Sequence, residues 1–126
     1  MRVPSLLVAF AIGLAVPAVV SAHVSVTAAT PAAGSTAKAP KTVILAFDKP
    51  VDQASAAASI VMTAMPGMAN HGEMVIRNFT MGWSPDRQTM TLSLKKPLSA
   101  GTYEVRWQAT AADGHLITGV VSFDVA

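Results

Sequence analysis

Apolar and polar residues alternate with a period of two in several short stretches of this chain. In 42–47, Val43, Leu45 and Phe47 share one face, and in 89–94 Met90, Leu92 and Leu94 do the same. The stretch 102–109 places Tyr103, Val105, Trp107 and Ala109 on one side, with Glu104, Arg106 and Gln108 opposite. In 117–125, Ile117, Val121, Phe123 and Val125 turn the same way and Gly119 is the one gap. A period of two is the signature of half-buried strands. Weaker strand patterns cover 24–30, 59–64 and 74–80, and the alanine-rich 54–58 is short enough to form no more than a helical turn.

Between these stretches stand residues preset for turn dihedrals, at Thr30-Pro31-Ala32-Ala33-Gly34, Asp48-Lys49-Pro50, Ser84-Pro85-Asp86 and Ser99-Ala100-Gly101. About seven strands in roughly 100 residues, with no amphipathic helix, predict an all-β domain: an antiparallel two-sheet sandwich of the immunoglobulin-like kind. Trp83 and Trp107 are expected in or near its core.

The first residues follow a different grammar. One basic residue, Arg2, precedes an apolar run, then Pro17 and the small exit Val20-Ser21-Ala22. This reads as an export leader over 1–22, cleaved to leave a domain of 104 residues over 23–126. The competing reading is an uncleaved anchor, since 3–22 nearly reaches membrane-spanning length. Cleavage would expose His23 as the first residue, whose α-amine and imidazole can chelate one cation together. After cleavage, eight Lys and Arg stand against seven Asp and Glu. That balance argues against a nucleic-acid surface. There is no cysteine, so no disulfide holds the domain, and a soft metal must be bound through methionine sulfur.

Methionine is where the sequence is unusual. Met62, Met65, Met68 and Met74 fall within thirteen residues together with His71. Thioethers suit Cu(I) and discriminate against harder ions, and imidazole is a borderline partner for the same metal. Met62, on a strand pattern, reads well as a core residue. Pro66, Gly67, Asn70 and Gly72 put Met65, Met68 and Met74 on a loop, where exposed methionines point to binding. A second group is Asp113-Gly114-His115, whose carboxylate and imidazole share a side if the backbone is extended. Alone it reads as a turn. With His23 it supplies a nitrogen and oxygen set of the sort Cu(II) prefers. The chain contains three histidines, and all fall in these two groups. No nucleophile–base pair, phosphate loop or zincin motif is present.

The opening His23, Thr30-Pro31 with Gly34-Ser35, the run Val61-Met62-Thr63-Ala64-Met65-Pro66-Gly67-Met68, Ala100-Gly101-Thr102-Tyr103 with Trp107, and Asp113-Gly114-His115 before Thr118-Gly119 together resemble the CopC family. These are small periplasmic copper-resistance and copper-carrier proteins of bacteria. The resemblance spans the chain from His23 onward and implies a Greek-key β-sandwich with copper sites at opposite ends. It implies a Cu(II) site from His23, Asp113 and His115. It implies a Cu(I) site from Met65, Met68, His71 and Met74, with Met62 as an additional candidate. Some members carry an acidic residue near the Cu(II) site where this chain has Lys49, with Asp48 beside it. The implied protein is a monomeric periplasmic carrier or buffer that passes copper to a membrane transporter or another periplasmic copper protein, and not an enzyme. The alternative is a small copper oxidase using His23 and His115 as a histidine brace, as in lytic polysaccharide monooxygenases. A methionine loop has no part in that chemistry, and 104 residues leave little scaffold for a polysaccharide.

Overall fold

The computed structural model describes residues 24–68 and 72–126. The leader reading of 1–22, His23 and His71 lie outside the described residues. Nine strands follow in chain order: β1 (Val26–Thr30), β2 (Thr36–Ala37), β3 (Thr42–Phe47), β4 (Ala57–Ala64), β5 (Met74–Ile76), β6 (Phe79–Trp83), β7 (Thr89–Leu94), β8 (Gly101–Thr110) and β9 (Leu116–Val125). They form a four-stranded sheet, β1-β3-β7-β6, and a five-stranded sheet, β2-β9-β8-β4-β5. The architecture is the sandwich that the alternation predicts, and β3 and β7 have the predicted bounds. A single 3-10 turn at Gln53–Ser55, capped by the Asp52 side chain accepting from the Ala54 N–H, stands close to the expected alanine-rich helical turn.

Three features depart from the expectation. The 74–80 stretch is two strands in different sheets, β5 pairing with β4 and β6 with β7. The cause is visible in the phase: Ile76 packs on the core from an even position, and Phe79, Met81 and Trp83 from odd ones. The slip at Arg77–Asn78 is where the chain crosses between layers. The two-residue β2 adds a short parallel pairing to β9 in an otherwise antiparallel fold. With these elements the strands number nine among the described residues and not about seven.

The inner faces interlock around aromatic contacts. Phe47 of one sheet meets Trp107 of the other edge-on with centroids 5.2 Å apart, and stacks on Trp83 at 6.1 Å. Tyr103 stacks on Phe123 at 5.9 Å, and its hydroxyl donates to the Ser99 carbonyl at 2.7 Å, so its polar end is satisfied inside the core. Gly119 lies opposite Trp107 in the β8–β9 register, and the indole fills the gap that the missing side chain leaves. The core contains apolar side chains and no buried charged residue among those described.

Candidate metal centre

The ten-residue β8 separates two chemically different ends. At about 3.3 Å per residue it spans about 30 Å. Beyond its last residue is the turn carrying Asp113 and His115, and beside its first is the methionine segment.

At the first end the β8–β9 hairpin closes with Thr110 opposite Leu116. The Gly114 N–H donates to the Ala111 carbonyl at 3.0 Å, and the His115 N–H to Asp113 Oδ1, also at 3.0 Å. Asp113 and His115 therefore meet through a turn, as Asp-Gly-His reads on its own, and not along an extended backbone. The outcome is the same juxtaposition, with His115 Nδ1 3.5 Å from Asp113 Oδ2. The Asp113 side chain is 16% exposed and that of His115 69%. The carboxylate is thus held while the ring reaches solvent. A carboxylate facing Nδ1 fixes the ring's orientation and favours Nε2 as the outward nitrogen donor.

The segment after β3 comes to the same end. The Asp52 N–H donates to the Thr110 carbonyl at 2.8 Å, and a groove of 470 Å³ runs between Lys49–Asp52, Arg87 and Ala111–Asp113. Where the described chain begins, Val24 is buried and Ser25 is fixed twice to Asp48. The Ser25 N–H donates to Asp48 Oδ1 at 2.8 Å, and the Asp48 N–H to the Ser25 carbonyl at 2.9 Å. The Ser25 N–H, with the Lys49 ammonium 3.3 Å from Oδ2, holds the Asp48 carboxyl below its usual range. Asp48 and Lys49 stand out in the sequence but the clamp on Ser25 does not, because only tertiary pairing joins residues 23 apart. Among the described residues no three His, Cys, Asp or Glu side chains converge as a metal cage.

At the other end, Met62 faces Met74 directly across the β4–β5 pair. Opposed residues share a face, with Cβ atoms about 5 Å apart. A bulge follows: Met62 pairs with Tyr103 but Ala64 with Thr102, so Thr63 is the extra residue. That phase change turns Met65 inward, and it packs against the core. Met65-Pro66-Gly67-Met68 then forms a tight turn. The Met68 N–H donates to the Met65 carbonyl at 3.0 Å and Gly67 has φ of 75°. Proline followed by a residue of positive φ is the type II signature, which glycine adopts without strain. Met68 is 53% and Met74 47% exposed, whereas Met62 is 2% exposed and belongs to the core, the structural one of its two readings.

A cationic clamp spans the outer face beside this corner. Arg106 of β8 donates through Nη2 and Nη1 to both oxygens of Glu73, at 2.7 and 3.3 Å, and through Nε to Glu104 at 3.0 Å. The Glu73 carboxyl is held below its usual range by Arg106, and the guanidinium is raised by Glu73 first and Glu104 second. No alternation pattern signals this contact.

Residues 26–126 match the model of the CopC domain. The chain belongs to the CopC family. Copper resistance protein C of Pseudomonas syringae pv. tomato is 41% identical over 116 residues, covering 92% of this chain and 90% of that one. Copper resistance protein C of Escherichia coli is 34% identical, over 82% of each chain. The crystal structure of PcoC, a methionine-rich copper resistance protein from E. coli, superposes with a TM-score of 0.75 at 31% identity, over 83% of this chain and 100% of that one. CopC from Methylosinus trichosporium OB3b gives a TM-score of 0.65 at 28% identity, over 82% and 93%. The CopC assignment is thus carried by both sequence and fold across most of the chain.

Proposed function

We propose that this CopC-family protein is an exported copper carrier or buffer that holds the metal in both oxidation states and passes it to a membrane or periplasmic partner. Its work is binding and release, with no catalysed reaction. The observation that carries this reading is the division of donors between the two ends of β8. Met65, Met68 and Met74 lie at one end, Met68 and Met74 exposed, and a carboxylate–imidazole pair stands at the other.

Asp113 and His115 supply an oxygen and a nitrogen ligand for Cu(II). The amine and imidazole of His23 supply two more nitrogens once the leader is removed in the periplasm. Soft, neutral sulfurs select Cu(I), with His71 as the nitrogen partner. Met62 backs this corner from inside the core. The chain works as a monomer.

The test is titration of the form starting at His23 with Cu(II), and anaerobically with Cu(I). Replacing Met65, Met68 and Met74 by leucine keeps the bulk and removes the sulfur. Cu(I) affinity should collapse with Cu(II) affinity unchanged, and replacing Asp113 and His115 by alanine should do the reverse. Parallel losses of both ions in either variant would refute a two-site carrier.

A further inference from the structure

We propose that Arg106 is a positioning residue for the methionine corner, holding Met74 opposite Met62 by gripping the residue just before it. The inference rests on the Cu(I) reading of that corner. β5 has three residues and lies at the edge of its sheet, and Met74 is its first residue and terminal register pair. The ends of a short edge strand are where pairing opens most readily. Glu73 immediately precedes that end, and both of its oxygens are engaged by Arg106.

The guanidinium is itself fixed. Glu104, two residues earlier on β8, takes Nε and leaves the two terminal nitrogens aimed at Glu73, so all three nitrogens are used in one planar fork. Val61, between Val75 and Glu104 in the register, is 2% exposed on this outer face, which is therefore covered beside the clamp.

Arg106 acts from the face opposite to Met62 and Met74, so it is no copper ligand. Its leverage is geometric: several neutral thioethers bind one ion well only when they are placed together beforehand. The ion pair is exposed, with side chains 40% and 56% accessible. Such a pair contributes little to global stability, which separates positioning from support of the fold.

The experiment compares the unaltered chain with Arg106→Leu, Arg106→Lys, Glu73→Gln and the Arg106→Leu/Glu73→Gln double variant. Cu(I) affinity is read anaerobically against a chromophoric competitor, with Cu(II) affinity, the urea midpoint and the backbone order parameter of Met74 alongside. Arg106→Leu and Glu73→Gln should each weaken Cu(I) binding about five-fold and lower the order of Met74, with Cu(II) affinity and midpoint unchanged. The double variant should lose no more than either single one. Arg106→Lys keeps the charge without the fork and should recover only part of the loss. Unaltered Cu(I) affinity in Arg106→Leu would overturn the role of Arg106, as would a parallel fall in Cu(II) affinity and midpoint. An unaltered chain with no Cu(I) affinity would instead overturn the Cu(I) reading of the corner, and this inference with it.

Discussion

Replacing Gly119 by alanine adds one methyl group at the place where the two sheets depend on an indole. A Cβ built there lies 2.4, 2.6 and 2.8 Å from Cζ2, Cε2 and Nε1 of Trp107. Those are rigid ring atoms that cannot bend away singly, so the whole indole has to swing. It has little room, because its neighbour Phe47 sits edge-on at 5.2 Å and is itself stacked on Trp83. Overpacking of this kind costs about 2 kcal/mol. In a domain of roughly 100 residues that corresponds to a fall of about 10 °C in Tm. Gly82→Ala is the matched control: its Cβ meets nothing within 4 Å. It should be neutral, or stabilising by about 0.5 kcal/mol through the unfolded chain. Urea unfolding followed by tryptophan emission and near-UV circular dichroism measures both. A Gly119→Ala cost below about 0.5 kcal/mol with an unchanged aromatic spectrum would refute the packing argument, as would equal losses in the two variants.

Met62→Leu should leave Cu(I) affinity nearly unchanged and cost less than about 1.5 kcal/mol, while Met62→Ala should cost about 2–5 kcal/mol by opening a core cavity. A large loss of Cu(I) affinity in the leucine variant would make Met62 a donor after all. Asp86 is held below its usual range by the Ser84 hydroxyl and then by the Gln88 N–H. Its contribution to stability is therefore full above the unfolded value of 3.8 and is lost as pH falls through the lower folded value. The gap in urea midpoint between the unaltered chain and Asp86→Ala should close on acidification below that value, and a widening gap would give the wrong sign. One glycine left before His23 converts the proposed amine ligand into an amide. Cu(II) affinity should fall sharply with an altered copper EPR spectrum, and identical spectra would remove the N-terminus from the ligand set.

The alternation in 42–47 and 89–94 determined two strands and their inward faces without help, because a sheet that buries one face forces a period of two on whatever sequence forms it. The same logic identified Trp107 and Phe123 as core. The chemistry of the candidate donors was also legible, since the softness of thioether and imidazole belongs to the residue and not to its surroundings. Tertiary structure alone decided how those donors are arranged. Periodicity does not say which sheet a strand joins, so the division of 74–80 between two layers appears only as a phase slip whose meaning needs the partners. Neither the bulge at Thr63 that turns Met65 inward nor the pairing of Met74 with Met62 is encoded locally. The Ser25–Asp48 and Glu73–Arg106 clamps join residues 23 and 33 positions apart. Such contacts exist because β1 lies on β3 and β4 separates β5 from β8, and strand order is set by the burial of both sheets together, which no single stretch of sequence can specify.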